Sequence, residues 1–212
     1  MKTKMKRFWH DFFVFPKYMV FHPFDGFEEF KRYKQGRLSV ALVFIVLFAF
    51  YRIMAYQYES VLINPNDPYM LNSVQMIVAV LLLIGLFTVG NWSVTTLMSG
   101  KGTYKEILMT TGYALFPLLI IGFPALVVSN FLTLEEMGFY RLMLYIAYAG
   151  TAWFLFMGIL NIHEYGLIKT VFAFLLTAVS MSVMMFLGLL FFDLIQQFLS
   201  FVSAIYEELS LR

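Results

Sequence analysis

An all-α integral membrane protein with five transmembrane helices is the fold class that three observations predict. The chain of 212 residues is 61% hydrophobic and only 13% charged, where a soluble domain carries roughly 25% charged residues. Its apolar residues fall in five runs, each near or above the roughly 20 residues that a spanning helix needs. Its basic residues gather in alternate connections, the pattern that sets orientation in a bilayer. A soluble fold of this length hides apolar side chains in one core. Here there are too many for that, so lipid must solvate the outer helix faces. Transmembrane strands are excluded, because no run shows strict alternation and the runs are about twice the length of a barrel strand.

The first span covers residues 38–56, roughly 28 Å at 1.5 Å per residue, about one hydrocarbon core. The second covers 72–92, the third 107–130, the fourth 141–160 and the fifth 167–192. Asn64-Pro65-Asn66-Asp67-Pro68 favours turns and cannot continue a helix. Ser99-Gly100-Lys101-Gly102-Thr103 reads as a flexible turn, and Thr103 with Glu106 forms a capping box that opens the third span. Thr133 with Glu136 repeats that signal before the fourth. Pro117 and Pro124 lie inside the third span, near Gly112 and Gly122. Each proline removes a backbone donor and bends the helix. The bend belongs either to an ordinary packed helix or to a broken helix lining a cavity. Ala147, Ala149, Gly150 and Ala152 in the fourth span favour close helix approach.

Three segments follow: an amphipathic basic and aromatic arm (1–37), a five-helix unit (38–192) and an amphipathic tail (193–212). In the arm, Lys2, Lys4, Lys6, Arg7, Lys17, Lys31, Arg32, Lys34 and Arg37 interleave with aromatic residues from Phe8 to Tyr33. Asp11, Pro16 and Pro23 interrupt any long apolar run there, so no cleavable signal peptide is expected. Aromatic rings and basic residues suit the headgroup zone and anionic lipid, so the arm is expected to lie at the membrane interface, with lipid favoured over nucleic acid as its partner. Connection 57–71 has no basic residue, 93–106 has Lys101 and Lys105, 131–140 has none, and Lys169 lies just inside the fifth span. The positive-inside rule then predicts a cytoplasmic N-terminus and an external C-terminus, in the cell membrane. The tail repeats apolar residues at Leu194, Phe198, Phe201, Ile205 and Leu209, a helical spacing. It is expected as a short helix that lies on the outer surface or extends the fifth span.

Chemistry is sparse. With no cysteine, disulfides and thiolate sites are excluded. His163-Glu164 has leucine at 167, where a zinc-protease motif needs a second histidine. No G-x-S-x-G occurs, Gly100-Lys101-Gly102 is too short for a phosphate loop, and no pair of aspartates lies within spans. An enzyme, a metal site and a cofactor are therefore not expected. Arg52, near the outer end of the first span, either snorkels or pairs with Asp193 or Glu59.

Several strings remain: His22-Pro23-Phe24-Asp25-Gly26-Phe27; Asn91-Trp92-Ser93-Val94-Thr95-Thr96-Leu97 followed by Gly100 to Glu106; Gly112-Tyr113-Ala114-Leu115-Phe116-Pro117; and His163-Glu164-Tyr165. Together they resemble the Yip1-domain family in its short bacterial form, from about residue 20 onward, most specifically over Asn91–Pro117. The resemblance implies five spans, a cytoplasmic N-terminus and a short C-terminus on the far side. It also implies a role beside other membrane proteins, in membrane traffic or next to sugar-uptake permeases. The site residues singled out are Arg52, Asp193, Asn91, Trp92, Gly112, Tyr113, Pro117, Pro124, His163 and Glu164. The leading expectation is a non-enzymatic scaffold or accessory factor that meets other membrane proteins or itself. The alternative is a small transporter or lipid-moving protein whose pathway follows the kinked third span past Asn91, Asn130 and Arg52.

Overall fold

The computed structural model describes residues 9–210; the basic residues Lys2, Lys4, Lys6, Arg7 and Arg212 and the aromatic Phe8 lie outside them. After a π-helical turn at His10–Val14 come α1 (Phe15–Phe21), α2 (Pro23–Arg32), α3 (Leu38–Tyr58), α4 (Ser73–Leu97), α5 (Tyr104–Ala114), α6 (Phe116–Ser129), α7 (Met137–His163) and α8 (Leu167–Ser210). No strand occurs among the described residues. Five rods are long and apolar enough to cross a membrane: α3, α4, α5 with α6, α7, and α8. In hydrocarbon a helix satisfies its own backbone groups, which makes it the viable spanning form for these sequences.

The third rod is the pillar. Two-thirds of its most apolar window is buried, against 39% or less for any other span. It is broken at Leu115, whose N–H bonds to Gly112 O at 3.2 Å instead of one residue further back. Pro117 sits in the first turn of α6, where a missing N–H costs least, and Pro124 lies inside α6. The capping box expected at Thr103 and Glu106 forms and starts α5.

Glycine lets neighbours reach this pillar. A Cβ on Gly112 would stand 2.7 Å from both Ala41 Cβ and Ala41 O, so α3 and α5 meet backbone to backbone. A Cβ on Gly122 would meet the Tyr51 ring at 2.9 Å, and one on Gly150 of α7 would touch Pro117 at 3.3 Å. Lipid tails are as apolar as leucine, so such close packing, rather than avoidance of water, holds spanning helices together.

The arm departs from the interfacial expectation. Its α1 and α2 form a hairpin whose Phe15, Met19, Phe27 and Phe30 are buried in the main core cluster. The positions 15/19 and 27/30 are helical neighbours, so each short helix has one inward stripe. Gly26 permits the turn, since a Cβ there would stand 2.8 Å from Met19 Cγ. Trp9, Phe13, Phe21 and Phe24 remain exposed on the outer face. The arm thus closes one end of the bundle, called here the near end.

The tail extends the fifth span, as one of its two expected arrangements. With no proline after residue 124 and no glycine after 188, nothing stops α8, which runs unbroken for 44 residues, about 66 Å.

The Gly112 contact makes a direct prediction. Gly112→Ala should lower stability in detergent by about 1–3 kcal/mol through overpacking, read as a fall in thermal midpoint. Gly138→Ala in α7, where an added Cβ meets nothing within 4 Å, should leave that midpoint unchanged or slightly raised.

Candidate functional site

The Gly100–Glu106 and His163-Glu164-Tyr165 strings meet at the near end, beside α2. The turn after α4 carries Ser99 in a left-handed conformation (φ 56°), which brings Gly100 N–H onto Thr95 O at 2.7 Å. The turn after α7 does the same with Glu164 (φ 55°), and Tyr165 N–H returns to Leu160 O at 3.0 Å. Both are non-glycine left-handed helix ends, and both aim a polar residue at the other turn.

His163 lies between them, fully buried. Its Nδ1 accepts the Gly102 N–H at 3.2 Å, which assigns the ring proton to Nε2, an atom with no protein partner. The ring stacks on Tyr165 with centroids 5.2 Å apart. Tyr165 Oη in turn donates towards Thr95 O and Met98 O at 3.2 and 3.3 Å, and Lys169 Nζ sits 4.2 Å from the Tyr165 ring centroid. Glycine is required opposite: a Cβ on Gly102 would meet His163 Cε1 at 2.7 Å, and one on Gly100 would meet Tyr165 Oη at 2.6 Å.

Outside this packed pair lies an ionic clamp. Glu164 receives Lys31 of α2 at 2.8 Å through one oxygen and Lys101 of the 98–103 turn through the other. Lys31 Nζ also donates to Ile162 O at 2.8 Å, which caps the end of α7. The hydrogen bonds from Lys101 and then Lys31 hold the Glu164 carboxyl down at about 2. One carboxylate thus ties the arm, the second connection and the fourth. A cleft of about 560 Å³ opens beside it, with Phe24, Glu28, Lys31, Arg32, Asn161 and Glu164 on its walls. A second ion pair, Arg37 to Asp11 at 2.7 Å, fixes the start of the arm to the start of α3.

The singled-out residues divide into separate places. Tyr113 is buried in the pillar and takes edge contacts from Phe15, Phe30 and Phe44 at 5.3–6.2 Å. Its hydroxyl accepts the Arg37 N–H at 3.2 Å. Gly112 and Pro117 are buried in the same pillar, whereas Pro124, further along it, is exposed. Asn91, fully buried on α4, donates to Thr177 Oγ1 of α8 at 3.0 Å, and its Oδ1 has no protein partner. Trp92 is exposed and meets Tyr104 edge-on.

Neither pairing expected for Arg52 forms. Glu59 accepts Tyr140 Oη at 2.7 Å, Asp193 accepts Gln197 Nε2 at 2.8 Å within its own helix, and Arg52 is exposed. Snorkelling leaves the guanidinium in water without desolvating an acid. Nor do Asn91, Asn130 and Arg52 gather along the third span: Asn130 bonds Tyr58 O at 2.9 Å at the far end. Sequence reasoning missed Lys31, Lys101 and Tyr165 as parts of one site. Their only signal was that each lay within or near a motif string.

Glu164 gives a pH prediction with a defined sign. Its folded value lies below its ordinary 4.5, so the clamp stabilises the fold above pH 4.5 and loses that effect as pH falls towards 2. Comparing thermal midpoints of the wild type and Glu164→Gln in detergent should show a constant gap from pH 7 to 5. The gap should narrow below pH 4.5.

A family model described as the Yip1 domain matches residues 17–205. No curated protein matches the chain, and no solved structure does.

Proposed function

The chain belongs to the Yip1-domain family, and from that premise we propose that it is a non-enzymatic scaffold or accessory factor whose near end receives other membrane proteins. The family is one of membrane proteins that act in membrane traffic without catalysis, and this chain has five helices fit to span a membrane. The observation that carries the reading is the Glu164 clamp. The arm and two connections are tied into one surface, and a binding surface costs less to engage when it is already ordered. Aromatic and arginine residues favoured at interfaces stand exposed beside it: Phe24, Tyr33 and Arg32.

The near end is the cytoplasmic one in this reading. Lys17, Lys31, Arg32, Lys34, Arg37, Lys101, Lys105 and Lys169 lie there, whereas the far connections hold Glu59, Asp67, Glu135 and Glu136. Exposed Trp9, Phe13 and Phe21 with Lys17 support contact of the arm with anionic headgroups, each basic residue adding about 1 kcal/mol near such a surface. The cell membrane remains the proposed location.

The alternative, a pathway along the kinked third span, has less support. Phe116, Pro117 and Leu118 around the break are buried in side chains, and Gly150 fills the space beside Pro117.

Side-sensitive reporters fused to the two ends should label from opposite compartments. Photo-crosslinkers placed at Phe24 and Tyr33 in native membranes should capture membrane-protein partners. Lys101→Glu should cut that capture several-fold while the far-end positions Val61 and Phe131 capture little. Capture of lipid alone at Phe24 and Tyr33, or both ends labelling from one side, would overturn the reading. Proteoliposome flux of sugars, ions or lipid that is abolished by Pro117→Ala would favour the pathway instead.

A further inference from the structure

The far half of α8 is the largest feature that the near-end surface leaves unexplained. Lys169 and Asp193 bracket 23 uncharged residues, 170–192, about 35 Å of helix, which fills one hydrocarbon core. The partner helix α4 has 25 residues, so α8 outruns it near residue 191. Every described side chain from Met185 onward is exposed, and the helix continues to Ser210. A stretch of about 27 Å therefore stands beyond the far end of the bundle.

Its residues follow a heptad. Phe191, Ile195, Phe198, Val202 and Ile205 recur at spacings of four and three, the a/d pattern that keeps one seam facing a partner helix. Asp193, Gln196, Gln197, Ser200, Ser203 and Glu207 occupy the b, c and f positions on the opposite side, and no charged residue interrupts the seam. Ten large apolar side chains between Phe191 and Tyr206 are 39–74% exposed. At ~150–250 Å² for a large aromatic side chain, the rod leaves on the order of 1,000 Å² of apolar surface open. A standard stable interface needs ~800 Å² per partner, and soluble surfaces rarely leave patches above a few hundred Å² uncovered.

A second copy of this chain is the occupant that fits. With no glycine or proline after Gly188, the rod has no hinge at which to fold back onto the bilayer. Copies inserted in one membrane with one orientation hold their rods side by side and pointing the same way. They meet in parallel, at the high effective concentration that a shared membrane gives. In that arrangement Asp193 and Glu207 lie at f, facing away from the seam, and Glu208 lies at g on its rim, so no like charges meet within the seam itself. We propose that the far half of α8 pairs in parallel with the same segment of a second copy along the Phe191–Ile205 seam, making the protein a self-associating one. This goes beyond the scaffold reading and uses the opposite end of the molecule, so either can fail without the other.

The absence of cysteine makes the test direct in the full-length chain in native membranes. Ile195→Cys, Phe198→Cys, Val202→Cys and Ile205→Cys, each alone, should form disulfide-linked dimers on mild oxidation. Ser200→Cys and Ser203→Cys should do so ~10-fold less, as a face turned outward requires. Native mass measurement in mild detergent should show a multimer that Phe198→Glu with Ile205→Glu converts to monomer, while Gln196→Glu with Ser203→Glu leaves it intact. Should the seam double variant fail to fold, the six single cysteines decide alone. Equal linking on both faces, no linking at the seam, or linking of Ile195→Cys only when mixed with Ile205→Cys (antiparallel packing) would overturn the proposal. So would quenching of seam-positioned fluorophores by brominated lipid without dimer formation.

Discussion

Close approach of helix backbones around the third span is the constraint on which the rest of this structure depends. In lipid the sides of a spanning helix gain nothing by leaving their solvent, so an assembly needs contacts that lipid chains cannot match. Gly112 against Ala41, Gly122 against Tyr51, and Gly150 against Pro117 supply them. The break at Leu115 belongs to the same arrangement. It redirects the pillar so that both halves pack on α3 and α7 while α5 also packs on α4. Pro117 therefore acts on packing direction in a region filled by side chains, while Pro124 sits on an exposed face of α6.

From that pillar the near end acquires its order. Tyr113 joins the pillar to the arm through two aromatic edges, Phe15 and Phe30, and to α3 through the Phe44 edge and the Arg37 N–H. Once the arm is seated, Lys31 reaches the end of α7, and Glu164 gathers Lys31 and Lys101 together. Each ion pair is partly exposed, and such pairs are individually worth little. Their effect is geometric: one carboxylate with two ammonium partners holds the arm and two connections in register. His163 adds a buried, stacked ring behind them, seated on two glycines that leave room for it.

The molecule thus has two dissimilar ends. One is closed by the arm, charged and braced. The other is acidic in its connections and dominated by an uncovered apolar rod. The Yip1-domain match covers all five spans. The physical difference between the ends separates the surface proposed to receive other proteins from the seam proposed to pair two copies of this chain.

Much of this was legible in the amino-acid order. Apolar runs of spanning length fixed the number of spans, because hydrocarbon thickness sets a minimum length whatever the neighbours do. Local chemistry placed the turn at Asn64–Pro68 and the capping box at Thr103, since each depends only on residues close in the chain. The motif strings carried the family without saying what their residues touch. The tertiary structure alone decided the partners. Arg52 was expected either to snorkel or to pair with Asp193 or Glu59; it is exposed, and the two acids bond Gln197 and Tyr140 instead. The arm was expected on lipid, yet Phe15, Phe27 and Phe30 enter the core, because composition gives a ring's preference for an interface but not whether a protein groove competes for it. Lys31 and Glu164 are 133 residues apart; no periodicity connects them, and only the packing of α2 under the end of α7 brings them together.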